Sequence, residues 1–231
     1  MSVDPPQIRS ARLGVSNRLY RFLRWLAHVV NRVSWRVTVE YEGTVPEEGP
    51  VILAPVHRSF IDFFVVSEVT RRKIFYMAKD SLWESRRLGA LLDAVGAFPV
   101  HRQGADRLAM DRAQAVLERG DVLILFPEGT RRTGALVEDL HEGAAFLAAR
   151  TGAAIVPIGI GGSARVMPKG SRIPRPVRVR LVVGEPIDAP ERSERGRVPR
   201  SQVHALTGTL HEELQRLFDV AQARMLERRG R

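Results

Sequence analysis

The order of apolar segments predicts an α/β fold in which a mostly parallel central sheet is flanked by helices and preceded by an N-terminal amphipathic helix. Three observations carry this prediction. Short, wholly apolar runs, Val51-Ile52-Leu53-Ala54 and Val122-Leu123-Ile124-Leu125-Phe126, read as strands buried on both faces. Stretches with helical spacing separate the strands, as the crossovers of a parallel sheet require. Near the N-terminus Arg18, Arg21, Arg24, His28 and Arg32 recur every three or four positions, opposite Leu19, Phe22, Leu23, Leu26, Val30 and Val33.

In chain order, the first helix is expected over residues 16–35. A half-buried strand follows over Val37–Tyr41, and a buried one over Val51–Ala54. A helix is expected over Ser59–Arg72, a strand over Ile74–Ala78, a helix over Ser81–Val95, a strand over Phe98–His101 and a helix over Ala105–Arg119. Val122–Phe126, Ala154–Ile160 and Val177–Val183 complete the strands, with a helix over Leu140–Ala149. Residues 162–176 carry Gly, Ser, Pro and Arg and read as an exposed loop, and Val203–Arg228 reads as a closing helix. Ligands of such a sheet are expected beyond the C-terminal ends of its parallel strands.

The 231-residue chain, 44% hydrophobic, suffices for one sizeable core and is short for two domains. It contains no cysteine, which excludes a cysteine acyl-enzyme, disulfide staples and thiolate-bound zinc. The formal net charge of +10 is carried almost wholly by arginine, since Lys73, Lys79 and Lys169 are the only lysines. A polyanion is therefore the expected kind of partner: anionic lipid headgroups, nucleic acid, or a phosphorylated or CoA-bearing substrate. Nucleic acid is disfavoured, because neither aromatic platforms interleaved with basic residues nor a recognition module is present. The histidines do not cluster with carboxylates at ligand spacing and no glycine-rich nucleotide fingerprint occurs, so no metal or cofactor is expected.

No stretch approaches the roughly 18 uninterrupted apolar residues of a spanning helix, and the N-terminus lacks the pattern of a secretory signal. The first helix, basic and bearing Tyr20, Trp25 and Trp35 in or beside it, fits two readings. One is an interfacial anchor whose arginines meet lipid phosphates; the other is a surface helix packed on its own domain.

Two strand ends carry chemistry. After Val51–Ala54 the chain reads Pro55-Val56-His57-Arg58-Ser59-Phe60-Ile61-Asp62. With His57 in the turn and Ser59 capping a helix, Asp62 in the first helical turn reaches back to one imidazole nitrogen and fixes the tautomer. The other nitrogen is then ready to take a proton from a substrate hydroxyl. The same residues also read as a capping box, Ser59-x-x-Asp62, with no catalytic role. After Val122–Phe126 comes Pro127-Glu128-Gly129-Thr130-Arg131-Arg132, a tight turn offering a hydroxyl and a guanidinium fork suited to phosphate, or equally a solvated surface turn.

Taken together, His57-Arg58-Ser59-Phe60-Ile61-Asp62, Gly96-Ala97-Phe98-Pro99-Val100-His101-Arg102, Phe126-Pro127-Glu128-Gly129-Thr130-Arg131 and Ile155-Val156-Pro157-Ile158 resemble, in order and spacing, the four blocks of the glycerolipid acyltransferase family. The resemblance covers roughly residues 35–185 and implies the fold of glycerol-3-phosphate acyltransferases. It divides the chain into an amphipathic membrane-associating segment, residues 1–35, and an acyltransferase domain with a C-terminal helix, residues 36–231. It further implies His57 as general base with Asp62 as its orienting partner, and direct attack of a lipid hydroxyl on an acyl-CoA or acyl carrier protein thioester. The implied acceptor is lysophosphatidic acid, bound by Arg102, Glu128, Gly129, Thr130, Arg131 and Lys79. Glycerol 3-phosphate, a lyso-ornithine lipid or a glycosylated phosphoinositide are the alternative acceptors, and a non-catalytic basic membrane-binding module is the alternative outside enzymes. The implied location is peripheral or monotopic, at the cytoplasmic face of the membrane. Two departures stand out: Val56 replaces a frequent asparagine, and Arg58 stands where an uncharged polar residue is common. His141 lies near a position where basic residues are usual.

Overall fold

The computed structural model describes residues 17–101, 106–168, 171, 173–190 and 198–227. Its helices and strands run α1 (Asn17–Ser34), β1 (Thr38–Tyr41), β2 (Val51–Pro55), α2 (Asp62–Val65), β3 (Ile74–Lys79), α3 (Arg86–Ala94), β4 (Ala97–Val100), α4 (Arg107–Glu118) and β5 (Val122–Ile124). They continue through α5 (Gly143–Thr151), β6 (Ala154–Gly161), α6 (Ser163–Val166) and β7 (Arg180–Val183) to α7 (Arg200–Leu226). Single 3-10 turns at Val66–Val69 and Asp80–Trp83 follow α2 and β3.

One sheet of order β1-β7-β6-β2-β5-β3-β4 forms the centre. Every neighbouring pair is parallel except β6 with β7, as the alternation of strand and helix leads one to expect. The central strand β2 is buried at all five residues, which is why it reads as an unbroken apolar run.

Local chemistry sets several element ends. Asp106 caps α4: one carboxylate oxygen accepts the Ala109 N–H at 2.9 Å and the other accepts the His101 N–H at 2.8 Å. Ser85 accepts the Leu88 N–H and starts α3 there, so the helix expected over Ser81–Val95 is shorter by its first turn.

Tertiary contacts overrule the expected helix over Ser59–Arg72. Only α2 and a 3-10 turn form, and Thr70 is extended. The carbonyls of Ser67, Thr70 and Arg72, which a continuing helix would present along its axis, instead accept hydrogen bonds from the Arg24 guanidinium of α1. The segment expected as an exposed loop over 162–176 contains α6, whose Ser163 and Val166 are buried.

Helix α1 docks through its polar side. The Tyr20 hydroxyl accepts the Ile74 N–H at 3.2 Å, and Asn31 Nδ2 donates to the Phe64 carbonyl at 3.0 Å and to Glu68 Oε1 at 2.8 Å. His28 Nδ1 lies 2.6 Å from Glu68. Its apolar side points outward, with Phe22 55%, Leu26 43% and Val33 73% exposed. Among the described residues no helix is long and apolar enough to cross a membrane.

The C-terminal helix α7 buries Leu206, Leu210, Leu214, Leu217 and Phe218. It approaches β6 backbone to backbone, because Gly159 and Gly161 present no side chain. A Cβ at Gly159 would lie 2.1 Å from the Leu217 carbonyl oxygen, and one at Gly161 equally close to that of Ala221. Gly159→Ala therefore forces helix and sheet apart. The expected loss is about 1–3 kcal/mol, read as a lower urea midpoint with an unchanged slope.

Candidate active site

Parallel strands β2 and β5 are adjacent, so the turns that leave their C-terminal ends meet. His57 and Asp62 are both buried in the first turn. His57 Nδ1 lies 3.0 Å from Asp62 Oδ2, and the same oxygen accepts the backbone N–H of Arg58 and of Ser59, each at 2.7 Å. Asp62 Oδ1 is buried and has no donor among the described residues. All three hydrogen bonds thus fall on the oxygen that faces the imidazole, and the ring is fixed by a carboxylate that is itself fixed by the main chain. The imidazole stacks on Phe126 with centroids 4.0 Å apart, and Phe63 meets it edge-on at 5.5 Å. Among the described residues His57 Nε2 has no hydrogen-bond partner, which leaves that nitrogen to accept a proton from a bound molecule.

The sequence places Ser59 as the helix cap, but Ile61 occupies the cap position of α2 and makes no side-chain bond there. Half of the capping box is present, with the Asp62 carboxylate reaching back, while the Ser59 hydroxyl turns 3.4 Å from the Met167 carbonyl.

The second turn, from Pro127 to Arg132, is stitched to the first. Glu128 Oε1 accepts the His57 N–H at 2.8 Å, and the Arg132 N–H donates to the His57 carbonyl at 2.9 Å. Gly129 adopts φ +67°, where a side chain would be strained and its Cβ would lie 2.6 Å from the His141 ring. Thr130 and Arg131 are exposed, and Arg131 makes no hydrogen bond or ion pair with another described residue. Lys79 is exposed at the end of β3, beside β5. Arg102 lies outside the described residues.

Glu128 departs from its expected place among groups touching the acceptor. It is fully buried, and both its oxygens are held within the chain, so it shapes the turn from behind. Its partner is Arg58, whose Nη1 lies 2.7 and 2.6 Å from the two Glu128 oxygens. Arg58 Nη2 donates to the Leu136 carbonyl at 2.9 Å, and the guanidinium sits 4.7 Å over the Phe218 ring of α7. Sequence reasoning did not identify this pair, nor the stacking of Phe126. The available signal was an arginine and a glutamate, each at the end of a wholly buried strand where a lone charge is costly.

The buried pair makes a stability prediction. Arg58→Met or Glu128→Gln alone leaves a buried group unmatched and is expected to cost about 3–5 kcal/mol. The double variant should lose less than the sum, measured by chemical denaturation as a double-mutant cycle.

Comparison with known proteins fits this arrangement. The acyltransferase family model matches residues 36–161. The chain is 24% identical over 203 residues to the 1-acyl-sn-glycerol-3-phosphate acyltransferase of Bacillus subtilis, covering 86% of this chain and 96% of that relative. It is 28% identical over 204 residues to the Streptococcus pneumoniae enzyme of the same name, covering 85% of this chain and 73% of that one. The crystal structure of the 1-acyl-sn-glycerophosphate (LPA) acyltransferase PlsC from Thermotoga maritima superposes with a TM-score of 0.71 at 21% identity, covering 96% of this chain and 88% of the other, and shows the same fold. The matched span exceeds half the chain and runs from just before β1 to the end of β6, enclosing both turns of the site: the chain belongs to the acyltransferase family and is an acyltransferase.

Proposed function

We propose that the protein transfers a fatty acyl group from acyl-CoA or an acyl carrier protein to the free hydroxyl of lysophosphatidic acid, giving phosphatidic acid for phospholipid synthesis. The observation that carries the reading is the buried contact of His57 Nδ1 with Asp62 Oδ2 at the end of β2, beside an exposed arginine turn. Relatives named as acyltransferases of this acceptor support the choice of substrate.

In this reading Asp62 holds His57 with Nε2 unprotonated. Nε2 takes the proton of the lipid hydroxyl as its oxygen attacks the thioester carbonyl carbon. The tetrahedral intermediate collapses by expelling the thiolate, and the proton held on Nε2 passes to that sulfur, so base and acid are the same nitrogen. No acyl-enzyme forms, in keeping with a chain that has no cysteine, and the reaction needs no cofactor beyond its thioester co-substrate. Arg131 and Lys79, exposed at neighbouring strand ends, bind the acceptor phosphate together with Arg102, and Gly129 and Thr130 shape the turn that carries Arg131.

Residues 1–35 are the membrane-associating part and residues 36–231 the catalytic domain, working at the cytoplasmic face of an anionic membrane. What supports the membrane-associating role is the outward apolar side of α1, where Phe22, Leu26 and Val33 stand exposed while Tyr20, Arg24 and Asn31 are engaged with the domain.

The deciding experiment is thiol release from long-chain acyl-CoA in mixed micelles, with and without lysophosphatidic acid. His57→Ala is expected to lower acceptor-dependent turnover by about 10²–10⁴-fold while the protein stays folded; turnover equal to the parent's would remove the mechanism. Asp62→Asn, which keeps an oxygen for the two backbone donors but loses the charge behind the imidazolium, should fall between parent and His57→Ala. Arg131→Ala should raise KM for the acceptor more than it lowers kcat. Activity absent with lysophosphatidic acid but present with another lipid hydroxyl would keep the base and move the substrate.

A further inference from the structure

A second feature flanks the apolar side of α1. A groove of about 1320 Å³ runs between α1 and the edge strand β1, closed below by the segment Ser67–Arg72. It lies on the sheet face opposite α7. Glu40 of β1 points to that helix and pairs with Arg224, whereas its neighbours Val39 and Tyr41 line the groove.

Five arginines line this groove against two glutamates, and one of these, Glu68, is already engaged by His28 and Asn31. Arg24 and Arg72 direct their guanidinium groups to backbone carbonyls, those of Ser67 and Thr70 and those of Pro46 and Gly49. Those bonds satisfy donors but bring no negative charge. The other three, Arg21, Arg32 and Arg71, are exposed and make no hydrogen bond or ion pair with another described residue. Between the cations the lining is mixed, with the apolar and aromatic Trp25, Val37, Val39 and Val45 beside the polar Thr38, Ser67 and Thr70.

The helix geometry sets where this groove would meet a bilayer. Arg21, Trp25, His28 and Arg32, spaced by four, three and four residues, form one stripe of α1. That stripe lies between the docked side, Tyr20, Arg24 and Asn31, and the exposed apolar side, Phe22, Leu26 and Val33. With the apolar side in the acyl boundary, the arginine stripe sits at the depth of the headgroups, and the groove opens there.

We propose that the groove is a binding site for an anionic membrane phospholipid, separate from the His57 site: Arg21 and Arg71 flank the phosphate at one end, Arg32 adds positive charge about three helical turns further along, and Trp25 and Val39 cover the apolar part between them. The proposal rests on the reading that α1 lies on a membrane and adds to it a discrete lipid site. A diffuse basic surface would not place Arg71, which is not part of α1, among the residues that matter.

Flotation of the full-length protein with vesicles tests it. One set of vesicles is phosphatidylcholine alone; the other is half phosphatidylglycerol. Arg32→Gln/Arg71→Gln removes two groove charges, and Arg216→Gln/Arg224→Gln removes the same charge from α7 on the opposite face. Equal unfolding midpoints establish that both variants are folded. The groove variant is expected to lose anionic-vesicle binding roughly 30-fold, at about fivefold per arginine, while the α7 variant binds as the parent does.

Equal losses in the two variants would overturn the groove in favour of diffuse charge. Parent protein that floats equally with both vesicles would overturn the groove but leave the membrane reading standing; parent protein that floats with neither would overturn both. A polynucleotide that bound the parent more tightly than the vesicles, and lost to the groove variant alone, would overturn the lipid assignment.

Discussion

The ion pair of Arg58 with Glu128 is the contact on which the site depends. The carboxylate is fully buried and the arginine nearly so, and each group is held by more than its partner. Glu128 also accepts the His57 N–H, while Arg58 also reaches the Leu136 carbonyl and the face of Phe218. Two charges withdrawn from water need such surrounding bonds, because their mutual attraction alone scarcely offsets the loss of hydration. The turn after β2, the turn after β5 and the C-terminal helix thereby share one electrostatic centre. A shift in any of them is felt at the backbone of His57.

From that frame the arginines divide by burial. Arg58 is inside and fixes the shape of the turns, whereas Arg131 and Lys79 are exposed at neighbouring strand ends. Arg24 and Arg72 belong to a third kind: their forks gather backbone carbonyls, Arg24 taking the place of regular helix in the segment after α2 and Arg72 tying down the loops at Pro46, Gly49 and Gly120. A single residue type, read from composition only as net charge, therefore serves as core ion pair, backbone clamp and surface cation. The planar fork, with several donors and a charge that cannot titrate away, suits all three.

Most of the sheet was legible in the sequence, because parallel strands buried on both faces must be apolar throughout, and Val51–Ala54 and Val122–Phe126 show this without help from neighbours. The closeness of His57 and Asp62 was legible too, since a strand end followed by a tight turn returns a side chain five residues on. The length of the helix after it was not. Residues 59–72 have helical character, but their carbonyls are claimed by Arg24, more than forty positions away in sequence. Glu128 illustrates the same limit: the family resemblance put it among the groups that bind the acceptor, and only the position of Arg58 and of the His57 N–H shows that it faces inward.

The sequence by itself determined that the chain makes an α/β sheet, and it marked the ends of β2 and β5 as the candidate site. Hydrophobic runs and turn residues are local properties, and the parallel pairing follows from the helices between them. It also determined that α1 has a basic and an apolar side. Which side meets the domain was decided by tertiary structure alone. In an isolated amphipathic helix either face can be the buried one. Here the neighbouring surface offers Glu68, the Phe64 carbonyl and the exposed carbonyls of Ser67–Arg72, groups that must be matched by donors. They take Arg24, His28 and Asn31, and the apolar side of α1 is left facing out.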